Sequence, residues 1–504
     1  MDRASRQVPE PRSSADVTGE HSQFRLDLER IRFSPYFSRL SAVTQVIAQP
    51  GAGPLIHNRL THSIKVTAVA RAIAVKLTDA ASPTRAFALE HGCDAVVVQA
   101  AASAHDLGHP PFGHLGERVL DRLARESLGL ADGFEGNAQT YRIVTALDVS
   151  EAAPRGLNLT AAVRTAVAKY PWTRYLDGDA LGDGLLPRGL RRTANGIEVL
   201  KFSAYGIDAG DLQQARRGHP PTQQSLECSI MDIADDIAYS IHDVDDFYRA
   251  GLLSEGAVAR EFRGWLRFGA QLRDLDDEAI VARRSAPPGS ALEGLRRKLR
   301  RSDPWISDDD AFADAVAVVA EDLVDGLLAI SFDGSIASER ALSSFTNRWI
   351  SHLQSSVVPA PEDEARTGLV TLDRPAWHEV EILKFVHRHF ILDRSDIVLY
   401  QRGLSRVLTR AVKGLTAWVH DEHDRDRVPQ RLKELVEIAT AGYAQLRDER
   451  PEGIPLPEAA EVQSLGVGRG VIDYVASLSD DQALAVSEAI DGRPDRLWDI
   501  GQNL

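Results

Sequence analysis

Nowhere in this 504-residue chain do apolar and polar residues alternate for more than a few positions. The period-two signal of a half-buried strand is therefore missing. Helical spacing recurs instead from Phe24 to Ile490. Across 61–78, Ile64, Val66, Val69, Ile73 and Leu77 fall at intervals that place them along a helix. With 43% hydrophobic residues to fill a core, the pattern predicts an all-α fold. No internal repeat is present. Further helices are expected over 94–104, 135–147, 158–169 and 225–249, and one after another from 310 to 490. Thr61 is the expected N-cap of the first, and 173–197, rich in Gly, Asp and Arg, reads as an exposed loop.

The helical pattern breaks where the chemistry concentrates. The nearly all-apolar stretch 94–104 ends in His105-Asp106-Leu-Gly-His109-Pro110-Pro111-Phe-Gly113-His114-Leu-Gly-Glu117. Pro110 and Pro111 cannot continue a helix. Gly113 opens the next one, with His114 and Glu117 three apart on one face. Upstream, Arg59 and His62 are also three apart at the start of a helix. Downstream, Asp235, Tyr239, His242 and Asp243 share one stripe of the 225–249 helix.

His105 and Asp106 offer an imidazole and a carboxylate on adjacent residues, a pairing that divalent cations use. His62 and Asp235 complete an order H…HD…D. The words "RLTHS", "HDLGHPPFGHLGE", "FEGNAQ", "KYPW", "ADDIAYSIHD" and "VIDYVASLSDDQA" resemble, in that order, those of the deoxyguanosinetriphosphate triphosphohydrolase-like family of the HD superfamily. The resemblance runs from about residue 33 to about 484. It departs at Ser38, where the family carries a basic or amide residue, and at Val43, where it carries Lys.

The resemblance implies an HD-type helical core at 23–250; the charged, Pro- and Ser-containing stretch 1–22 before it reads as a disordered leader. A linker or insertion at 251–310 and a C-terminal helical region at 311–504, packed on the core, would follow. It implies one divalent metal on His62, His105, Asp106 and Asp235. Mg²⁺ or Mn²⁺ is the first expectation, with Fe, Co, Ni or Zn compatible with the donor set. No second His-His or carboxylate-rich insertion lies near His105, which points to one ion rather than two. The implied reaction is hydrolysis of a dNTP, dGTP foremost, to deoxynucleoside and inorganic tripolyphosphate. His114 is then the acid or base at the α-phosphate, oriented by Glu117. His109 either supports that chemistry or touches phosphate. Arg59 and Lys169 match phosphate-contacting cations of the family, Tyr239 its sugar gate and Asp243 its 3′-OH acceptor. Gln45 and Asn137 are expected substrate contacts, although Asn137 can equally brace the helix it begins. The rival readings are an HD phosphohydrolase acting on another phosphate ester and a nucleotide sensor without turnover.

The net charge of −15 argues against a surface devoted to nucleic acid. Weak single-strand binding at the basic run 296–301 is the one exception, and a solvated helix face is the simpler expectation there. Two cysteines, Cys93 and Cys228, exclude a disulfide framework and fit a cytoplasmic protein. Neither a signal peptide nor a membrane span is read from the chain. The expected partners are the dNTP substrate, a dNTP effector and further copies of the chain in a homo-oligomer.

Overall fold

The computed structural model describes residues 2–9, 20–45, 58–151, 153–178, 181, 184–194, 196–281, 286–361, 367–392 and 394–492. Helices dominate them, and the all-α expectation is borne out. The helix Leu226–Arg249 lies at the centre, capped by Ser225, whose side chain accepts from the Cys228 N–H. It packs against Arg59–Thr78, Ala95–Ala104, Ile336–Ser355 and Arg374–His387. Almost every residue from Leu226 to Tyr248 is buried, charged ones included. Such burial of carboxylates is stable only where each one finds a partner.

The Arg59–Thr78 helix starts earlier than expected. Asn58, not Thr61, is its N-cap; the Asn58 side chain accepts the Thr61 N–H at 2.9 Å. Arg59 thereby enters the first turn, one turn below His62. Asp94 caps Ala95–Ala104, the helix expected over 94–104. The chain then turns sharply through Phe112, at φ 63°, and Gly113, at φ 57°, before the helix Gly113–Leu128 begins. Gly108 is required by close approach: a Cβ there would stand 2.2 Å from the Gly136 carbonyl oxygen.

The C-terminal helices Gln430–Glu449 and Val462–Ser477 pack on each other, and the second also meets Gly113–Leu128. Polar anchors fix this region. Arg142, on Gly136–Arg142, reaches Asp473 at 2.8 Å and Asp208 at 3.0 Å, all of them buried. Arg469 pairs with Asp132 at 2.6 Å and lies 3.8 Å over the Tyr205 ring. Asp473→Ala would leave Arg142 buried with half its charge partners. Urea unfolding should then show a loss of about 3–5 kcal/mol; a loss below about 1 kcal/mol contradicts this role.

Several expectations need correcting. Part of the leader is docked: Arg6 pairs with Asp27 at 2.6 Å, and Val8 exchanges two hydrogen bonds with the Asn158 side chain, each 2.9 Å. Residues 10–19 of that leader lie outside the described residues. The expected loop 173–197 contains a strand, Leu190–Thr193, paired antiparallel with Gly196–Val199; a second hairpin joins Val357–Pro359 to Val370–Leu372. Within 251–310, the expected linker or insertion, lie the helices Glu255–Arg273 and Ser290–Ser302. Its basic run is largely neutralised within the chain. Arg296 is buried between Glu293 and Asp309, while Arg297 and Arg301 pair with Asp277. Only part of the run is therefore the solvated face the sequence predicts.

Candidate active site

Three helices and the sharp turn after Ala104 bring the key side chains together. His62 comes from the start of Arg59–Thr78, His105 from the end of Ala95–Ala104, and Asp235 from the middle of Leu226–Arg249. Their ligand atoms lie within 4.8 Å of one another. His62 Nε2 is 3.1 Å from Asp235 Oδ1, and His105 Nε2 is 3.6 Å from the same oxygen. Two ligand atoms held about 2.1 Å from one ion stand roughly 3.0–3.4 Å apart, so the spacing suits a shared cation. His105 supplies a second test. Its Nδ1 donates to the Ala102 carbonyl at 2.7 Å, and Nε2, the nitrogen that faces Asp235, is buried with no hydrogen-bond partner among the described residues. A ring held by one nitrogen and presenting the other is how ligating histidines are arranged. This donor set can hold a divalent metal ion.

Asp106 stands beside that triad rather than in it. Its Oδ1 is 3.5 Å from His105 Nε2, but the same oxygen meets His109 Nδ1 at 2.9 Å, and Oδ2 meets Arg59 Nη1 at 3.0 Å. Burial alone would raise the carboxyl pKa. Arg59 and the two histidines outweigh it and hold Asp106 well below the usual carboxylate range. Asp235 follows the same logic, with Lys169 as the main opposing charge. For His105, burial pushes downward, yet Asp106 and Asp235 prevail and lift it to about 9. His109 is driven the other way, to about 4, by burial and by Arg59.

Next to this cluster lies a pocket. Gln45, Phe112, His114, Arg118, Tyr239 and His387 contribute to its wall. The His114 side chain is 53% exposed, and its Nδ1 lies 3.0 Å from Glu117 Oε2. Glu117 is buried and also accepts from the Gly136 N–H and from Lys201, each at 3.0 Å. Burial would raise Glu117; Lys201 and His114 hold it well below its ordinary value. His109, His114 and Glu117 form a second group with metal-ligand spacing. The Lys201 ammonium beside Glu117 occupies the charge that a second cation would need.

The remaining expected residues are placed as follows. Arg59 is buried, and its Nε and Nη2 have no hydrogen-bond partner among the described residues. Lys169 bridges Asp232 at 2.8 Å and Asp235 at 2.9 Å. Gln45 is buried, and its Oε1 has no hydrogen-bond partner among the described residues. Asn137 donates to Glu135 Oε1 at 2.9 Å and is not in the pocket wall, which fits the bracing role. Asp243 lies one turn beyond Tyr239 on the same helix. It is buried against His387, with Oδ2 2.6 Å from Nδ1, and His387 rather than Asp243 is in the pocket wall. Sequence reasoning missed Lys201, Arg118 and His387. For Arg118 a signal existed, since it lies one turn beyond His114. Lys201 and His387 carry no local pattern that marks them.

Residues 59–158 match the HD domain family. That match covers the two histidines and the HD pair, and it places the molecule among the HD-superfamily phosphohydrolases. The chain is 32% identical to a deoxyguanosinetriphosphate triphosphohydrolase-like protein of Corynebacterium efficiens over 385 residues, 74% of this chain and 75% of the relative. To the protein of that name from Corynebacterium glutamicum (strain R) it is 36% identical over 405 residues, 77% and 80% of the two chains. To that of Streptomyces coelicolor it is 28% identical over 510 residues, 97% and 96%. The chain belongs to this deoxyguanosinetriphosphate triphosphohydrolase-like family. Among the described residues no helix is long and apolar enough to cross a membrane.

Proposed function

We propose that this protein is a metal-dependent dNTP triphosphohydrolase, which converts dGTP or another dNTP to deoxynucleoside and inorganic tripolyphosphate. The observation that carries the reading is the convergence of a metal-competent triad, a histidine–carboxylate dyad and an adjacent pocket. The relatives' shared name makes dGTP the first substrate to try. A divalent cation, Mg²⁺ or Mn²⁺ first, would be held by His62, His105 and Asp235 with Asp106 alongside; when bound it supplies Lewis-acid activation of water and neutralises phosphoryl charge.

The chain's own residues supply the rest. Attack by water at the α-phosphorus forms one P–O bond and breaks the bond to O5′, whose electron pair must take up a proton. His114 moves a proton at that position. Glu117 holds its Nδ1 and so leaves Nε2 for the substrate. Lys201 fixes Glu117 from the other side. The two unpaired donors of Arg59 are suited to phosphate oxygens, and Lys169 adds a charge beside Asp235.

Tyr239 lies one helical turn beyond Asp235, so a triphosphate anchored at the metal end brings its sugar to the Tyr239 ring. A 2′-OH there loses water without gaining a partner. The protein should favour dNTP over NTP by roughly two decades in kcat/KM. Tyr239→Ala should narrow that ratio, mainly through a slower dNTP reaction. Purified protein is incubated with each dNTP and NTP, with Mg²⁺ or Mn²⁺, and the phosphates are resolved by anion-exchange chromatography. Equal cleavage of GTP and dGTP refutes the sugar gate. Release of orthophosphate alone favours the other phosphohydrolase reading.

A further inference from the structure

The sequence word "VIDYVASLSDDQA" has no part in the proposed reaction, yet its end grips the turn that carries His114. Asp480 opens the helix Asp480–Ile490 and is buried. That helix does not need the Asp480 carboxylate for its own start. Ser479 and Gln482 cap it reciprocally: the Ser479 hydroxyl accepts the Gln482 N–H at 3.2 Å, and Gln482 Oε1 accepts the Ser479 N–H at 2.9 Å. The carboxylate turns to the candidate active site instead. Its Oδ1 accepts the Phe112 N–H at 2.8 Å, and its Oδ2 accepts the Thr44 N–H at 3.0 Å and the Thr44 hydroxyl at 2.5 Å. Thr44 and Phe112 are both in the pocket wall. Arg39 ties the same two segments together. Its Nη1 donates to the carbonyls of Ala476 and Leu478 at 3.0 and 2.9 Å, and its Nη2 to those of Leu107 and His109 at 2.9 and 2.7 Å.

Resting on the triphosphohydrolase reading, we infer that Asp480 is a positioning residue, which holds Phe112 in the left-handed conformation that aims His114 at the α-phosphate. Phe112 has φ 63° and ψ 20°, a region that a bulky L side chain rarely adopts. Such a conformation persists only where the surroundings over-determine it. Phe112 stands at the N-cap position of Gly113–Leu128, but its side chain makes no capping hydrogen bond. The grip of Asp480 on its N–H is therefore what restrains it. Phe112 precedes His114 by two residues, so a rotation there swings the first turn of the helix. His114 and Glu117 share that turn and would shift as a pair. His62, His105 and Asp235 sit on three other helices, and Asp480 hydrogen-bonds to none of them. Loss of the carboxylate thus displaces the proton-transfer group and leaves the metal triad in place.

The test is a double-mutant cycle on the intact protein with dGTP and Mn²⁺. Asp480→Ala should lower kcat by roughly 10- to 100-fold, the scale of a misplaced catalytic group. KM for dGTP, and the Kd for Mn²⁺ from calorimetric titration, should stay within about threefold of wild type. In a His114→Ala background the same change should cost less than about threefold further, because the two residues act through one group. Asp480→Asn keeps an amide oxygen for the Phe112 N–H but gives Thr44 no acceptor, so its kcat should fall between wild type and Asp480→Ala. Ser479→Ala removes a cap from the same helix without touching Phe112; it should lower the melting temperature and leave kcat unchanged. Wild-type kcat in Asp480→Ala overturns the inference, as does full additivity with His114→Ala, or a Ser479→Ala that loses as much kcat as Asp480→Ala. Should Asp480→Ala fail to fold, Asp480→Asn decides, and wild-type kcat in that variant overturns the inference. Wild-type protein that cleaves no dNTP refutes the triphosphohydrolase reading and the role of His114 with it. An active wild type beside an unaffected Asp480→Ala refutes the positioning role alone.

Discussion

His105→Gln is expected to lower kcat/KM for dGTP by roughly three decades or more, even with excess Mn²⁺. Among the described residues the imidazole Nε2 has no hydrogen-bond partner, and a glutamine side chain cannot reproduce a ligand atom fixed through the Ala102 carbonyl. Each decade of rate corresponds to about 1.4 kcal/mol of transition-state stabilisation. Loss of one ligand from a site of this size removes several such increments. Asp106→Ala should lose as much activity, but with a second consequence. Arg59 is buried, and one of its nitrogens donates to Asp106. Without that carboxylate the guanidinium is left short of a partner, and stability should drop by about 3–5 kcal/mol. Turnover and thermal melting measured on both variants separate the two roles. Near-normal turnover in His105→Gln would remove it from the metal site. Unchanged melting in Asp106→Ala would mean that Arg59 finds another partner.

His114→Ala should reduce kcat by about two to four decades while metal binding persists. Its side chain is half exposed and its one ion-pair partner is Glu117, so melting should shift little. An effect confined to KM would make His114 a binding residue only. Glu117→Gln should fall between wild type and His114→Ala, because the amide still reaches Nδ1. It also releases Lys201 from one of two carboxylates, since the ammonium keeps Glu135 at 2.9 Å. Calorimetric titration of metal into each variant, beside steady-state kinetics, checks that the loss lies in the proton transfer.

Much of this architecture was legible in the sequence because it is written locally. An apolar run ending in His-Asp, followed by two prolines and a glycine, reads as a helix, a break and a second helix. The structure agrees at Ala95–Ala104 and Gly113–Leu128. His62, His105 and Asp235 were legible through the order of family words, and the fold brings all three together. Contacts made across long chain separations were not legible. Lys201 meets Glu117 from 84 residues away, and Lys-Phe-Ser-Ala offers nothing to mark it. His387 reaches Asp243 from another helix altogether, so a stripe of residues on Leu226–Arg249 predicts its own face but not the side chain that covers it. The docking of Arg6 on Asp27 was hidden for a related reason. A polar, proline-containing leader reads as disordered unless its partner, a buried carboxylate elsewhere, is known.

The most direct test of the central claim is a ³¹P NMR time course of dGTP with the Mg²⁺-loaded protein in H₂¹⁸O. Attack of water at the α-phosphorus predicts tripolyphosphate as the first phosphorus product, with ¹⁸O in its terminal phosphoryl group and none in deoxyguanosine. Orthophosphate or pyrophosphate appearing first, or the label in the nucleoside, would contradict it.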